Sequence, residues 1–240
     1  DKGWGTVYFT THDQSRMVSR FGNDSVYRNE SSKMLYTFLL SMRATPYIYQ
    51  GDELGMTNIR FNSIEEYKDL ETINYYAFLK RTGGNLQEFI NGQKEVARDN
   101  SRTPMQWNAS ANAGFTTGTP WLKINPNYPA INAEASEKDE NSILHYVQKM
   151  IQLRKSSPVL VYGKYMVIDA ANEEVYAYTR ELNGEKVLVL LSFSDKGGSI
   201  VLPSEMQLGE ELINNQSVKI SNSNGTIVLK PWQAVIVKVK

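Results

Sequence analysis

The hexapeptide Thr11-His12-Asp13-Gln14-Ser15-Arg16 places an imidazole, a carboxylate, an amide and a guanidinium side by side. A carboxylate here can stabilise developing positive charge, and a neutral imidazole can bond hydroxyl groups. Arg16 adds a planar fork and is a candidate substrate contact. The same residue types also make a satisfied polar turn, with Thr11 or Asp13 capping local backbone. A second cluster, Gly51-Asp52-Glu53, brings two acids together, which is also the composition of a solvated turn. In a third, Arg98 and Arg102 lie four positions apart and could fork-bond hydroxyls or carboxylates. They could equally anchor a long loop through internal ion pairs. Trp107, Phe115, Trp121 and Tyr128 have faces suited to a pyranose ring and equally to packing. His145 falls within a helical pattern, where a structural role is expected.

Some chemistries are excluded. Cysteine is absent, so there is no thiolate and no disulfide framework. The two histidines, His12 and His145, are far apart, which rules out a Cys/His zinc site. No glycine-rich phosphate loop of the GxxxxGK[ST] type occurs.

These clusters need elements to hold them. Thr6–Thr10 is a β-branched and aromatic run that predicts a buried strand, and the first polar cluster lies at its end. Met34, Leu35, Phe38, Leu39 and Met42 predict a helix over Ser31–Arg43. Pro46–Gln50 predicts a second buried strand, followed by the acidic cluster. Strand, polar loop, helix, strand, polar loop is the repeating unit of a parallel sheet, whose post-strand loops carry function. Ser63 with Glu66 has capping-box spacing and predicts a helix start. A helix is expected near Asn85–Val96, a long ordered loop over 100–135, and an amphipathic helix from Ile143 to Arg154 with Asn141 as its cap.

The pattern changes near Ser156-Ser157-Pro158, where strands with turns replace the alternation. Val175–Arg180, Asn183-Gly184 and Lys186–Leu190 predict a hairpin on a type I′ turn. Further strands are expected at Ser199–Leu202, Thr226–Leu229 and Ala234–Val239. The fold class is α/β plus all-β, with residues 1–157 as one domain and 158–240 as a second.

Composition narrows the partners. The 240 residues carry 26 Lys plus Arg against 26 Asp plus Glu, so there is no basic excess for nucleic acid. No run of ~18 apolar residues occurs, so no transmembrane helix is expected. The chain opens Asp1-Lys2-Gly3 with neither Met nor signal-peptide architecture, and is expected to be cut from something longer. Absence of cysteine suits the cytoplasm and is tolerated in a periplasm or outside the cell.

Three segments, FTTHDQSRMVSRFGND, TPYIYQGDELGMTNIRF and ARDNSRTPMQW, in this order and spacing, resemble the α-amylase family of glycoside hydrolases. They look most like its exo-acting α-glucosidase branch of oligo-1,6-glucosidases, dextran glucosidases, trehalose-6-phosphate hydrolases and sucrose isomerases. NAGFTTGTPWLKINPNY and LKPWQAVIVKVK extend the resemblance over the whole chain. It implies the carboxy-terminal part of a (β/α)₈ TIM barrel followed by an antiparallel β-sandwich domain. Thr6–Thr10 would be the seventh barrel strand and Pro46–Gln50 the eighth. The missing amino-terminal part of the barrel would be the chain's partner, and a small oligosaccharide its substrate.

By the same resemblance, Asp13 is the transition-state-stabilising aspartate and His12 bonds hydroxyls of the cleaved-end sugar. Arg98 grips the non-reducing-end sugar, with Arg102 a weaker candidate. Asp52 and Glu53 lie near the pocket. The family's nucleophile and acid/base have no match in this sequence. The implied activity is retaining hydrolysis of terminal α-linked glucose, with α-1,6 links foremost, and needs no cofactor and no metal in this chain. Sucrose isomerisation or transglycosylation, or hydrolysis of trehalose 6-phosphate, by the same architecture, and a non-catalytic carbohydrate-binding or structural module, are the alternatives. Two positions depart from the pattern: Thr11 replaces the usual Asn, and Ser15 the usual Pro.

Overall fold

The computed structural model describes residues 3–240. In chain order the elements are β1 (Thr6–Val7), α1 (Met17–Phe21), α2 (Arg28–Ser41), β2 (Thr45–Pro46), α3 (Leu70–Thr82), α4 (Leu86–Val96), α5 (Ala133–Lys138), α6 (Ile143–Ser156) and α7 (Pro158–Tyr162). The strands β3 (Lys164–Ile168), β4 (Val175–Leu182), β5 (Glu185–Ser192), β6 (Gly198–Val201), β7 (Leu208–Asn214), β8 (Ser221–Ser223), β9 (Thr226–Leu229) and β10 (Ala234–Val239) follow. The chain gathers into two compact units. One takes residues up to Tyr8, Gly22–Tyr47 and His145–Lys240, and the other takes Phe9–Phe21 and Ile48–Leu144.

In the first unit, β1 and β2 pair in parallel, Thr6 with Thr45 and Val7 with Pro46. The ladder is shorter than the two expected strands, and Tyr8 and Tyr47 are exposed rather than buried. Among the described residues each of these strands pairs with the other alone. Two strands cannot close a barrel.

Strands β3-β4-β5-β10-β7 form an antiparallel sheet, and β6-β9-β8 a second. Val175, Ala177, Leu188, Leu190, Val235 and Val237 of the larger sheet bury against Ile200, Ile227 and Leu229 of the smaller. This is a sandwich core, with about 1.5–3 kcal/mol per fully buried aliphatic side chain. The opposite face of the larger sheet meets α2 and α7. That explains why Val187–Leu191 is an unbroken apolar run: both faces are covered. The β4–β5 hairpin turns at Asn183 (φ 52°) and Gly184 (φ 85°), the left-handed pair that a type I′ turn requires.

Helix α2 ends without a basic residue in its own last turn. Two buried arginines from far along the chain supply the charge instead. Arg154 Nη1 donates to the carbonyls of Leu40 (2.7 Å) and Met42 (2.9 Å), and its Nη2 to Ala44 (2.7 Å). Arg180, fully buried, donates to the carbonyls of Ser41, Leu160 (2.9 Å), Val161 (3.3 Å) and Gly163 (2.9 Å). Unpaired carbonyls at a helix C-terminus carry partial negative charge, and these cations satisfy them. Burial pushes the Arg180 guanidinium down to about 10, partly offset by Tyr178, so it stays protonated at neutral pH.

The second unit is built from helices and turns. Ser63 and Glu66 form the expected capping box, but it opens a 3₁₀ turn at Ile64–Glu66 rather than a long helix. Tyr67 is extended, and the amides of Lys68 and Asp69 both donate to the buried Asp99 Oδ2, at 2.7 and 2.8 Å. The chain is redirected there, and α3 starts afresh behind the Asp69 cap. Helix α4 is capped by Asn85, which accepts from Glu88 N at 3.0 Å. Phe61, Tyr67, Ile90, Ala97 and Leu122 form this unit's core.

Candidate active site

Residues 11–14 form a turn, which lets two adjacent side chains converge, as they could not in a regular strand. Asp13 N donates to Thr11 Oγ1 at 3.1 Å, and Gln14 N donates to Thr11 O at 3.2 Å. The hydroxyl makes the local side-chain-to-backbone bond that an Asn in that place can also make. His12 Nε2 then lies 3.2 Å from Asp13 Oδ2, with both side chains open to solvent, at 71% and 52%.

Two arginines meet Asp13 from the turn that follows α4. Arg98 Nη1 lies 3.3 Å and Arg102 Nη2 3.0 Å from Asp13 Oδ1. Arg102 Nε also donates to His12 O at 2.8 Å. Arg98 pairs further with Asp69 (Nε to Oδ1, 2.9 Å) and with Glu71. Desolvation, the largest single influence, pushes the Asp13 carboxyl up. The hydrogen bond from Arg98 and the charges of His12, Arg98 and Arg102 outweigh it and hold the group below the usual carboxylate range. Asp13 is therefore an anion at neutral pH with part of its surface free. A cavity of about 490 Å³ opens beside it, lined by Asp13, Asp69, Glu71, Thr72, Tyr75 and Arg98 among others.

Arg16 is placed differently from its neighbours. Its side chain is 1% exposed, so it does not face a solvent-borne sugar as the sequence suggested. Nη1 donates to Gln50 O at 2.6 Å and Nη2 to Ser101 O at 3.2 Å, and Asp52 Oδ1 lies 3.5 Å from Nη1. The guanidinium ties the Asp13 turn to the turn after β2 and to the Arg98–Arg102 segment. The reason is space. Gly51 holds φ +88°, and a Cβ there would sit 2.5 Å from Met56 Sδ and 3.0 Å from Arg16 Nη1.

Asp52 is buried against Arg16, and Glu53 accepts from Gly51 N at 2.8 Å. Burial raises both carboxyls. For Asp52 it outweighs the pull of Arg16 and the Thr10 hydroxyl and brings the group to about 6. The unfolded carboxyl titrates near 3.8, so the folded state prefers the protonated form. This contribution to stability is full below about pH 4 and is lost as pH rises towards 6, on the order of 3 kcal/mol. In Asp52→Asn, urea unfolding between pH 4 and 7 should lack that decline. A slope equal to that of the parent chain would show that Asp52 titrates normally.

Trp107, Phe115 and Trp121 share the lining of a second cavity, of about 400 Å³, with Glu53 and Arg102. Tyr128 is half-buried. Among the described residues no group of His, Cys, Asp or Glu is arranged to hold a metal ion. No described helix is long and apolar enough to cross a membrane. Asp69, Glu71 and Asp99 were not singled out from the sequence. Asp69 precedes an apolar-periodic run in the manner of a cap, which was a readable signal for the helix but not for its contact with the arginines.

The model of the α-amylase catalytic domain matches residues 1–163. The chain belongs to the α-amylase family. The α-amylase family's SusG C-terminal domain matches residues 175–236. The oligo-1,6-glucosidase of Parageobacillus thermoglucosidasius is 48% identical over 242 residues, covering 100% of this chain and 43% of that protein. The trehalose-6-phosphate hydrolase of Bacillus subtilis is 40% identical, covering 99% of this chain and 43% of that protein. Among solved structures, the isomaltulose synthase of Klebsiella sp. LX3 superposes with a TM-score of 0.95 at 43% identity, covering 100% of this chain and 44% of that one. The chain thus spans less than half the length of these α-amylase family relatives.

Proposed function

We propose that this chain is the carboxy-terminal portion of an α-glucosidase that releases glucose from short α-1,6-linked oligosaccharides with retention of configuration. The supporting observation is that three relatives named oligo-1,6-glucosidase are 44–48% identical over 98–100% of this chain. Residues 1–157 would complete a barrel and 158–240 would form the β domain, in keeping with the two matched regions.

The reaction is a double displacement. A nucleophile and an acid/base, both supplied by polypeptide outside this chain, act ~5–5.5 Å apart. Asp13 is a third carboxylate. Its ionised oxygens gain strength as positive charge develops on the sugar, because they are already oriented and need no reorganisation. His12 bonds sugar hydroxyls beside it, and Arg98 with Arg102 steadies both the carboxylate and the terminal sugar. Arg16 acts from the interior by fixing the backbone under these groups.

The test is product analysis of the longer polypeptide with isomaltose, trehalose 6-phosphate and sucrose as separate substrates. Glucose from isomaltose, well ahead of turnover of the other two, is the expected result. Conversion of sucrose to an isomeric disaccharide as the main reaction would assign the site to an isomerase. Preference for the phosphorylated sugar would assign it to a phosphotrehalase.

A further inference from the structure

Asp13 stands at one corner of a closed ring of alternating charge. Arg98 links it to Asp69 (3.3 and 2.9 Å), and Arg102 closes the ring (3.6 Å to Asp69, 3.0 Å to Asp13). The two acids are not equivalent. The Asp13 side chain is 52% exposed and the Asp69 side chain 8%. Asp69 is also tethered at its amide and at one carboxylate oxygen. Its amide is held by Asp99 Oδ2 at 2.8 Å, and its Oδ2 accepts from Thr72 N (3.0 Å) and Thr72 Oγ1 (2.9 Å) as the cap of α3. Oδ2 therefore serves the helix, and Oδ1 is left for the arginines.

Capping alone does not need a charge, since Asn or Ser caps about as well as Asp. A carboxylate here is in excess of what the helix requires, and the excess faces the two guanidiniums. Without it, Arg98 Nε would lose its inner anchor, and Arg102 Nη1 would keep only Asp99 Oδ1, at 3.6 Å. A guanidinium with a free edge prefers a bidentate grip on a carboxylate, and Asp13 is within reach of both. That grip would occupy the oxygen positions a sugar must meet.

We propose that Asp69 is a positioning residue for Asp13, holding Arg98 and Arg102 so that each touches Asp13 through one edge and leaves the rest of its carboxylate open to substrate. The proposal rests on the role given to Asp13 above. The groups facing Asp13 are His12 on its own turn and Arg98 and Arg102 on the turn after α4. Asp69 and Glu71, at the start of α3, stand behind Arg98, and Asp69 with Asp99 stands behind Arg102.

Asp69→Asn in the longer polypeptide keeps a cap and removes the charge, and Asp69→Ser does the same with a shorter side chain. Two quantities are read: kcat/KM for isomaltose, and the NMR titration midpoint of the Asp13 carboxyl. Loss of a negative neighbour and a tighter grip by both arginines should lower that midpoint by roughly half a unit or more. Misorientation of the site should lower kcat/KM by ~10–100-fold, with Tm within a few degrees. An unchanged Asp13 midpoint in both variants, with or without a fall in Tm, would make Asp69 a helix cap and overturn the proposal. Asp13→Asn run in parallel separates the two ideas. If it leaves glucose release intact, the functional reading fails, while the Asp13 midpoint in the Asp69 variants still decides this one.

Discussion

Asp13→Asn in the longer polypeptide should lower kcat by ~10³-fold or more, with little change in KM. The substitution preserves shape and removes charge. Ground-state binding loses one hydrogen-bond acceptor of several, so KM moves little. The transition state loses an anion set beside the developing positive charge, so nearly the whole effect falls on kcat. Folding should be almost untouched, because the Asp13 side chain is half exposed and its turn is held through backbone contacts to Thr11 and Arg102. Steady-state kinetics with isomaltose, beside a thermal melt, make the check. A loss under about tenfold would make Asp13 a structural member of the ion-pair ring.

Arg180→Ala should cost ~3–5 kcal/mol of stability, the largest effect expected of any single change in the β unit. Its guanidinium bonds carbonyls of Ser41, Leu160, Val161 and Gly163. Truncation takes these donors from the Ser41, Val161 and Gly163 carbonyls, leaves Leu160 with only Arg154 Nη1 at 3.2 Å, and opens a cavity the size of the lost side chain. Arg180→Lys is the informative partner. An ammonium has three protons and no planar fork, so it should recover only part of the loss. Urea unfolding of both variants gives the comparison, and a change below 1 kcal/mol in Arg180→Ala would mean that water replaces the guanidinium.

What was legible in the sequence follows from where each signal arises. The Asn183-Gly184 hairpin and strands β5, β9 and β10 were readable because turn chemistry and apolar runs are local properties. The missed strands β3, β7 and β8 are all at sheet edges, where one side meets water and polar residues dilute the pattern. Helix α3 was expected too early because the Ser63–Glu66 box is real, while the contact that ends its turn comes from Asp99, some thirty residues on. The cluster at His12 and Asp13 was visible by residue type. Its partners Asp69 and Glu71 were not, since their link to Arg98 exists only after α3 and α4 have folded beside each other. Arg16 looked like its neighbours in sequence and differs from them only in burial.

The arginines at the end of α2 bear on how such a chain can be inherited. A module that moves between genes by recombination must carry its own electrostatic satisfaction with it. A segment beginning at Pro158 would take Arg180 away from the Ser41 carbonyl and leave Arg154 behind with Leu40, Met42 and Ala44. The breakpoint that sequence pattern favours therefore cuts through a set of buried contacts. A transplantable unit has to include the residues up to Tyr8, Gly22–Tyr47 and His145–Lys240 together, the last two stretches separated by nearly a hundred residues of a different compact unit. Gene fusions that respect the strand pattern alone should yield insoluble products, which the solubility of an expressed segment starting at Pro158 would show.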